Sequence, residues 1–130
     1  EGGMKAIAQG HDVIFTPTQY CYFDYKQDED QFKPVGKFLP LEKVYSFEPV
    51  LEGISEEEAH HVLGLQGNLW TEHVAYPNHA FYQLLPRLAA SSEVQWCLPE
   101  QKDFEDFKVR LPRMEEIYDL MGVTYCSQIE

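Results

Sequence analysis

Two short clusters in the sequence pair a large aromatic side chain with a carboxylate. The first is Tyr20-Cys21-Tyr22-Phe23-Asp24-Tyr25 and the second is Asn68-Leu69-Trp70-Thr71-Glu72-His73. In each, an acid stands two residues after an aromatic: Asp24 after Tyr22, and Glu72 after Trp70. A sugar ring has an apolar C–H face and a rim of hydroxyls, and this pairing suits both. A flat indole such as Trp70 covers the face. Carboxylates such as Asp24 and Glu72 accept charge-assisted hydrogen bonds from the rim. A phenol such as Tyr22 donates to a ligand carbonyl. Aromatic–x–acid pairs also occur by chance in many loops, so on these residues alone core aromatics beside solvated acids are the favoured reading.

Asp24 and Glu72 also raise the thought of an acid/base pair. Binding is favoured over catalysis for them, because no neighbour in sequence would raise a carboxyl pKa and their separation is not readable. The adjacent His60-His61 follows the acidic run Glu56-Glu57-Glu58, but consecutive side chains point apart, which makes a poor ligand pair. The acidic run is read as a solvated helix start. Cys21, Cys97 and Cys126 are odd in number and widely spaced, fitting neither a disulfide framework nor a zinc pattern. No metal site and no cofactor is expected.

The elements that must position these clusters can be read from periodicity. Residues 3–10 read as a helix end with Gly10 as its stop. Asp12-Val13-Ile14-Phe15-Thr16 follows as a short continuous apolar strand, expected to be buried on both faces as in a parallel sheet. Residues 17–61 form a long irregular stretch with Pro17, Pro34, Pro40 and Pro49. Within it, Leu41 to about Tyr45 suits a short helix after Pro40, and Ser55 with Glu58 suits a capping box. Residues 62–70 read as a second strand, in which Gly64 and Gly67 mark a close backbone or ligand approach. Neither glycine belongs to a dinucleotide or phosphate loop.

A long helix is expected from Asn78 or His79 to about Trp96, burying Phe81, Leu84, Leu85, Leu88 and Ala89 and kinked at Pro86. Another runs from Asp103 to Met121, burying Phe104, Phe107, Leu111, Met114, Tyr118 and Met121. Pro112 should bend or break it after Leu111, and Gly122 should end it. The order gives two consecutive βα units of an α/β protein. Both chemical clusters then lie at the carboxyl ends of neighbouring strands, where such folds bind ligands.

Composition narrows the class. The chain has 130 residues, enough for about one domain. It is 44% hydrophobic, which supplies a core and argues against disorder. Its formal net charge is −12, the wrong sign for tracking nucleic-acid backbone or anionic lipid. No apolar run approaches the roughly 20 residues of a membrane span. No secretory signal is visible, and the opening Glu1-Gly2-Gly3 with Met4 inside reads as part of a longer chain.

Several segments together carry a family resemblance. They are Tyr22-Phe23-Asp24 after a strand ending Thr16-Pro17; Leu39-Pro40-Leu41 with Val44-Tyr45-Ser46-Phe47-Glu48-Pro49; and Leu63-Gly64-Leu65-Gln66-Gly67-Asn68-Leu69-Trp70-Thr71-Glu72, the most specific. Leu85-Pro86-Arg87-Leu88-Ala89-Ala90 and Glu93-Val94-Gln95-Trp96 complete the set. Collinear over nearly the whole chain, they resemble the C-terminal part of the catalytic domain of bacterial β-N-acetylhexosaminidases of glycoside hydrolase family twenty. The resemblance implies that residues 1–130 are a C-terminal fragment of a (β/α)8 barrel, about its last two βα units plus a terminal helix. A whole barrel needs roughly 250 residues.

It further implies retaining hydrolysis of terminal β-linked N-acetylglucosamine or N-acetylgalactosamine, in which the substrate's own acetamido oxygen attacks the anomeric carbon. Tyr22 matches the tyrosine that holds the acetamido oxygen, and Trp70 matches the tryptophan beneath the sugar. Asp24 and Glu72 match the acids on its outer hydroxyls. The family's catalytic aspartate–glutamate pair has no counterpart here, since no Gly-Gly-Asp-Glu-like motif occurs. The isolated chain is therefore expected to be inactive. His73 departs from the tyrosine common after the glutamate, and Ser91-Ser92 from a more apolar pair. The implied partners are N-acetylhexosamine glycans, with no nucleic acid and no membrane. The parent is expected to be exported, periplasmic or secreted, and the isolated piece to self-associate through exposed strand edges. The alternative is a non-catalytic N-acetylhexosamine-binding module.

Overall fold

A computed structural model of the chain describes residues 2–31, 35–50 and 52–129. Helix α1 (Gly2–Ile7) ends before Gly10, which takes a positive φ of 77°. Strand β1 (Val13–Phe15) follows, then a one-turn helix α2 (Thr18–Cys21). The stretch read as irregular contains a small sheet as well as helices. Strand β2 (Tyr25–Lys26) pairs in parallel with β3 (Val35–Phe38), and helix α3 (Leu41–Tyr45) comes next. The expected capping box is present on α4 (Glu56–Ala59): Ser55 Oγ accepts from the Glu58 amide, and the Glu58 carboxylate accepts from the Ser55 amide. Pro34, one of the prolines of the stretch read as irregular, lies outside the described residues.

Strand β4 (Val62–Leu65) pairs in parallel with β1, as two successive βα units require. The expectation of strands buried on both faces fails in this chain. Ile14 is 54% exposed and Leu63 62%, because the sheet is two strands wide and no further described strand flanks either edge.

The expected long helix is two. Helix α5 (Pro77–Leu84) starts on Pro77, and α6 (Arg87–Trp96) begins after Pro86. Leu85 is extended, at φ −103° and ψ 135°, as a residue before proline prefers to be. The break also moves the buried face. Leu85 is buried as expected and Leu84 and Ala89 are partly so, but Phe81 and Leu88 are exposed, and the residues buried within the two helices are Gln83, Arg87, Ala90, Ser91 and Val94. Arg87, Ala90, Ser91 and Val94 share one face of α6 and Gln83 joins them from α5, and three of the five are polar.

Helix α7 (Phe104–Met121) starts under an Asp103 cap and ends at Gly122, with φ 66°. Pro112 does not break it. That residue lies on the exposed side, where the Lys108 carbonyl it leaves unpaired can be hydrated. Phe107, Leu111 and Tyr118 are buried as expected, whereas Met114 and Met121 are exposed. The main core gathers Phe23, Leu39, Leu41, Val44 and Leu65 with Ala90 and Val94 of α6 and Phe107 and Leu111 of α7. Tyr45 and Glu93 tie these layers: Tyr45 donates to Glu93 Oε1 at 2.9 Å, and Arg110 grips Glu93 with both terminal nitrogens at 2.7 Å. No described helix is long and apolar enough to cross a membrane.

Candidate sugar site

The two clusters meet beyond the carboxyl ends of β1 and β4. Pairing continues past both strands: the Gln66 amide donates to Phe15 O at 2.8 Å. The chain after β1 then detours through α2 and returns, so that Tyr22 forms an isolated parallel bridge with Asn68. The Asn68 amide donates to Cys21 O and the Phe23 amide to Asn68 O, each at 2.7 Å. Asn68 Nδ2 also donates to Thr16 Oγ1 at 2.6 Å, closing the base of the detour. This pairing brings the Tyr22–Tyr25 turn beside the segment that carries Trp70 and Glu72.

Tyr22, Asp24, Trp70 and Glu72 line one open cleft of about 520 Å³, together with Tyr25, Val35 and His73. The Tyr22 and Trp70 rings stand 6.4 Å apart at 53°, and Tyr22 meets Tyr25 edge-on at 5.8 Å. Trp70 is 53% exposed, so its indole offers a face to a ligand instead of filling the core. Asp24 is the contrary case: it is buried, and its Oδ1 accepts no hydrogen bond from any described residue. An orphaned buried carboxylate oxygen is costly unless a ligand or water donates to it. His73 lines this cleft and also a neighbouring one of about 760 Å³, which is walled by Asp28, Asp30, His79 and Tyr82.

What holds the turn was not anticipated from sequence. Phe23 is fully buried, with the Arg87 guanidinium 5.2 Å from its ring centroid and the Gly67 backbone against its edge. Arg87 is itself fully buried and has no carboxylate partner at hydrogen-bond distance among the described residues. Its Nη2 donates to Phe23 O at 2.5 Å and to Gln83 O at 2.6 Å. Its Nη1 donates to Tyr25 O at 3.0 Å and Leu39 O at 3.1 Å, and its Nε to Gln83 O at 3.1 Å. Gln83 completes the set by donating from Nε2 to Asp24 O at 2.9 Å. Burial pulls the Arg87 pKa down to about 9, against the opposing pull of Cys126, Asp24 and Tyr82, so the guanidinium stays charged at neutral pH. The available signal was the polar i, i+4 pair Gln83 and Arg87 on a helix whose apolar stripe looked sufficient without them.

The two buried cysteines, Cys21 and Cys126, are held back as nucleophiles. Burial pushes the Cys21 thiol up to about 11 and raises Cys126 as well, and Cys21, Cys97 and Cys126 are all free. His61 is engaged with Asp12, its Nδ1 2.8 Å from Asp12 Oδ1.

The sequence and the fold both have close counterparts. The family model described as "Glycosyl hydrolase family 20, catalytic domain" matches residues 1–99. The chain is 37% identical over 128 residues to a β-hexosaminidase of Porphyromonas gingivalis, covering 96% of this chain and 16% of that protein. It is 31% identical over 124 residues to a β-N-acetylhexosaminidase of Cellulomonas fimi, covering 92% and 24%. The family 20 exo-β-N-acetylglucosaminidase of Vibrio harveyi, solved in complex with N-acetylglucosamine, superimposes with a TM-score of 0.89 at 32% identity. That match covers 97% of this chain and 20% of that one. The chain thus spans about a fifth of the length of the relatives it matches. On the extent of the family match and the agreement of both sequence and fold, the chain belongs to glycoside hydrolase family 20.

Proposed function

We propose that residues 1–130 are the C-terminal part of a β-N-acetylhexosaminidase barrel, comprising about its last two βα units and a terminal helix, and that they supply half of its sugar subsite. The whole protein hydrolyses terminal β-linked N-acetylglucosamine or N-acetylgalactosamine from glycans, with retention. The observation that carries this reading is the convergence of Tyr22, Asp24, Trp70 and Glu72 on one cleft. Tyr22 donates its phenol to the acetamido carbonyl and holds that oxygen against the anomeric carbon, a proximity effect worth several kcal/mol. Trp70 covers the apolar face of the ring, and its exposure supports that use. Asp24 and Glu72 accept from the outer hydroxyls, for which the unpartnered Asp24 Oδ1 is prepared. The acid that protonates the leaving group, and the aspartate beside it, come from another part of the protein.

The test is hydrolysis of 4-nitrophenyl N-acetyl-β-glucosaminide by the full-length protein, with N-acetylglucosamine affinity measured in parallel. Trp70→Ala should lower kcat/KM at least about tenfold while changing stability by less than about 1 kcal/mol, since the ring is half exposed. A full-length protein that binds the sugar without turnover is the non-catalytic binding module instead. A Trp70→Ala variant with a large stability loss and intact affinity makes the aromatics mere core.

A further inference from the structure

We propose that Arg87 and Gln83 are positioning residues of this sugar subsite, setting the direction of Asp24 by holding the backbone carbonyls of Phe23, Asp24 and Tyr25. The inference rests on the reading of the cleft as an N-acetylhexosamine subsite.

Three consecutive carbonyls of the turn are held by two side chains. Arg87 holds Phe23 O and Tyr25 O, and Gln83 holds Asp24 O between them. Arg87 also bonds Gln83 O, so the two clamp residues are fixed to each other across the α5–α6 break. Its remaining bond, to Leu39 O, ties the same guanidinium to the entrance of α3. With the peptides on both sides of Asp24 fixed, its carboxylate direction reduces to a choice of side-chain rotamer. Tyr22 is fixed from the other side by its bridge to Asn68.

A small cavity joins the clamp to the ligand side. Gln83 Oε1 and Asp24 Oδ1 are buried acceptors without a partner among the described residues, and both residues line one small cavity of about 10 Å³ beside Trp70. The clamp therefore reaches the edge of the subsite and is not confined to the core. A planar guanidinium suits this task because its five donors leave in fixed directions, whereas a lysine ammonium presents three on a flexible stem. Misplacing a binding group by about 1 Å costs up to about a hundredfold in rate, so small shifts of this turn are readable in kinetics.

The experiment uses the full-length protein, with Arg87→Lys, Gln83→Leu and, as a control away from the cleft, Arg110→Met. KM and kcat are measured on the 4-nitrophenyl N-acetyl-β-glucosaminide and on the galactosaminide, with melting temperature measured separately. Arg87→Lys should raise KM about tenfold and Gln83→Leu about threefold, each shifting the gluco-to-galacto ratio of kcat/KM. Arg110→Met should lower the melting temperature and leave both quantities unchanged. Should Arg87→Lys fail to fold, Gln83→Leu decides the matter. Variants that lose stability yet keep the wild-type KM and sugar preference overturn the positioning role and leave the subsite standing. A wild-type protein without turnover or sugar affinity overturns the subsite, and the positioning role with it.

Discussion

Replacing Gly67 with alanine tests whether the site turn is anchored by the packing of the Phe23 ring on the Gly67 backbone or only by its own hydrogen bonds. A Cβ on Gly67 would lie 2.5 Å from Phe23 Cε2, 3.0 Å from Cδ2 and 3.1 Å from Cζ. Ordinary carbon contacts lie near 3.5–4.0 Å, so the ring or the strand must give by about 1 Å. The ring has nowhere to go: Phe23 is fully buried, with Arg87 over its ring at 5.2 Å and its carbonyl held at 2.5 Å. Overpacking of this kind costs about 1–3 kcal/mol. Loss of glycine freedom in the unfolded chain returns about 0.4–1 kcal/mol. The expected net destabilisation is about 1–2 kcal/mol, or about 3–8 °C in melting temperature for a domain of this size. Circular dichroism melts of wild type, Gly67→Ala, Phe23→Leu and the double variant close a cycle. The smaller leucine should relieve the clash, so the double variant should lose less than the two single losses together. An alanine variant as stable as wild type, or strict additivity, refutes the argument.

Pro112→Ala should stabilise the protein by about 1–2 kcal/mol, because it restores an α7 backbone bond at an exposed position without removing a packed side chain; a lower melting temperature would count against the account of α7. The isolated 130-residue chain should self-associate, since Ile14 and Leu63 on the sheet, Trp96 on α6 and Leu120 on α7 are all more than half exposed. A monodisperse monomer in light scattering at high concentration would exclude it.

Where local chemistry and burial agreed, the sequence was sufficient. The Ser55–Glu58 box and the Gly122 stop are local hydrogen-bonding or backbone requirements, and each stands where it was read. Strands β1 and β4 were legible as short apolar runs. Their placement side by side set the two clusters together, which made the cleft legible as well. The misreadings share a cause. Assigning a buried face by hydrophobicity presumes that polar residues face water. On α5 and α6 that presumption put Phe81 and Leu88 inside and Gln83, Arg87 and Ser91 outside, the reverse of the structure. Met114 and Met121 on α7 are misread in the same way as Phe81 and Leu88, as apolar residues left exposed. The β2–β3 pair escaped notice because two residues of strand, Tyr25–Lys26, carry too little pattern to be read.

The buried polar face of α5 and α6 has a physical reason that also explains the site. A turn that leaves β1, detours through α2 and presents Tyr22 and Asp24 to a cleft cannot keep its carbonyls in a regular ladder. Those of Phe23, Asp24 and Tyr25 must find other donors or be buried unpaired, at about 1–3 kcal/mol each. An apolar residue at position 87 would pack well and still leave two of these carbonyls, and that of Leu39, without the donor they now have. The guanidinium is costly to bury, but it satisfies four carbonyls at once, and a fully satisfied polar network fixes one geometry where an apolar contact would tolerate several. Rigidity is therefore concentrated on the Tyr22–Asp24 half of the cleft. Among the described residues, the exposed segment that carries Trp70 and Glu72 is held by the Val74-to-Thr71 backbone turn and by the Trp70 ring against Tyr22 at 6.4 Å. If the cleft is the sugar subsite proposed above, ligand selection falls to the held side, through the direction of Asp24, and the ring is accommodated on the other.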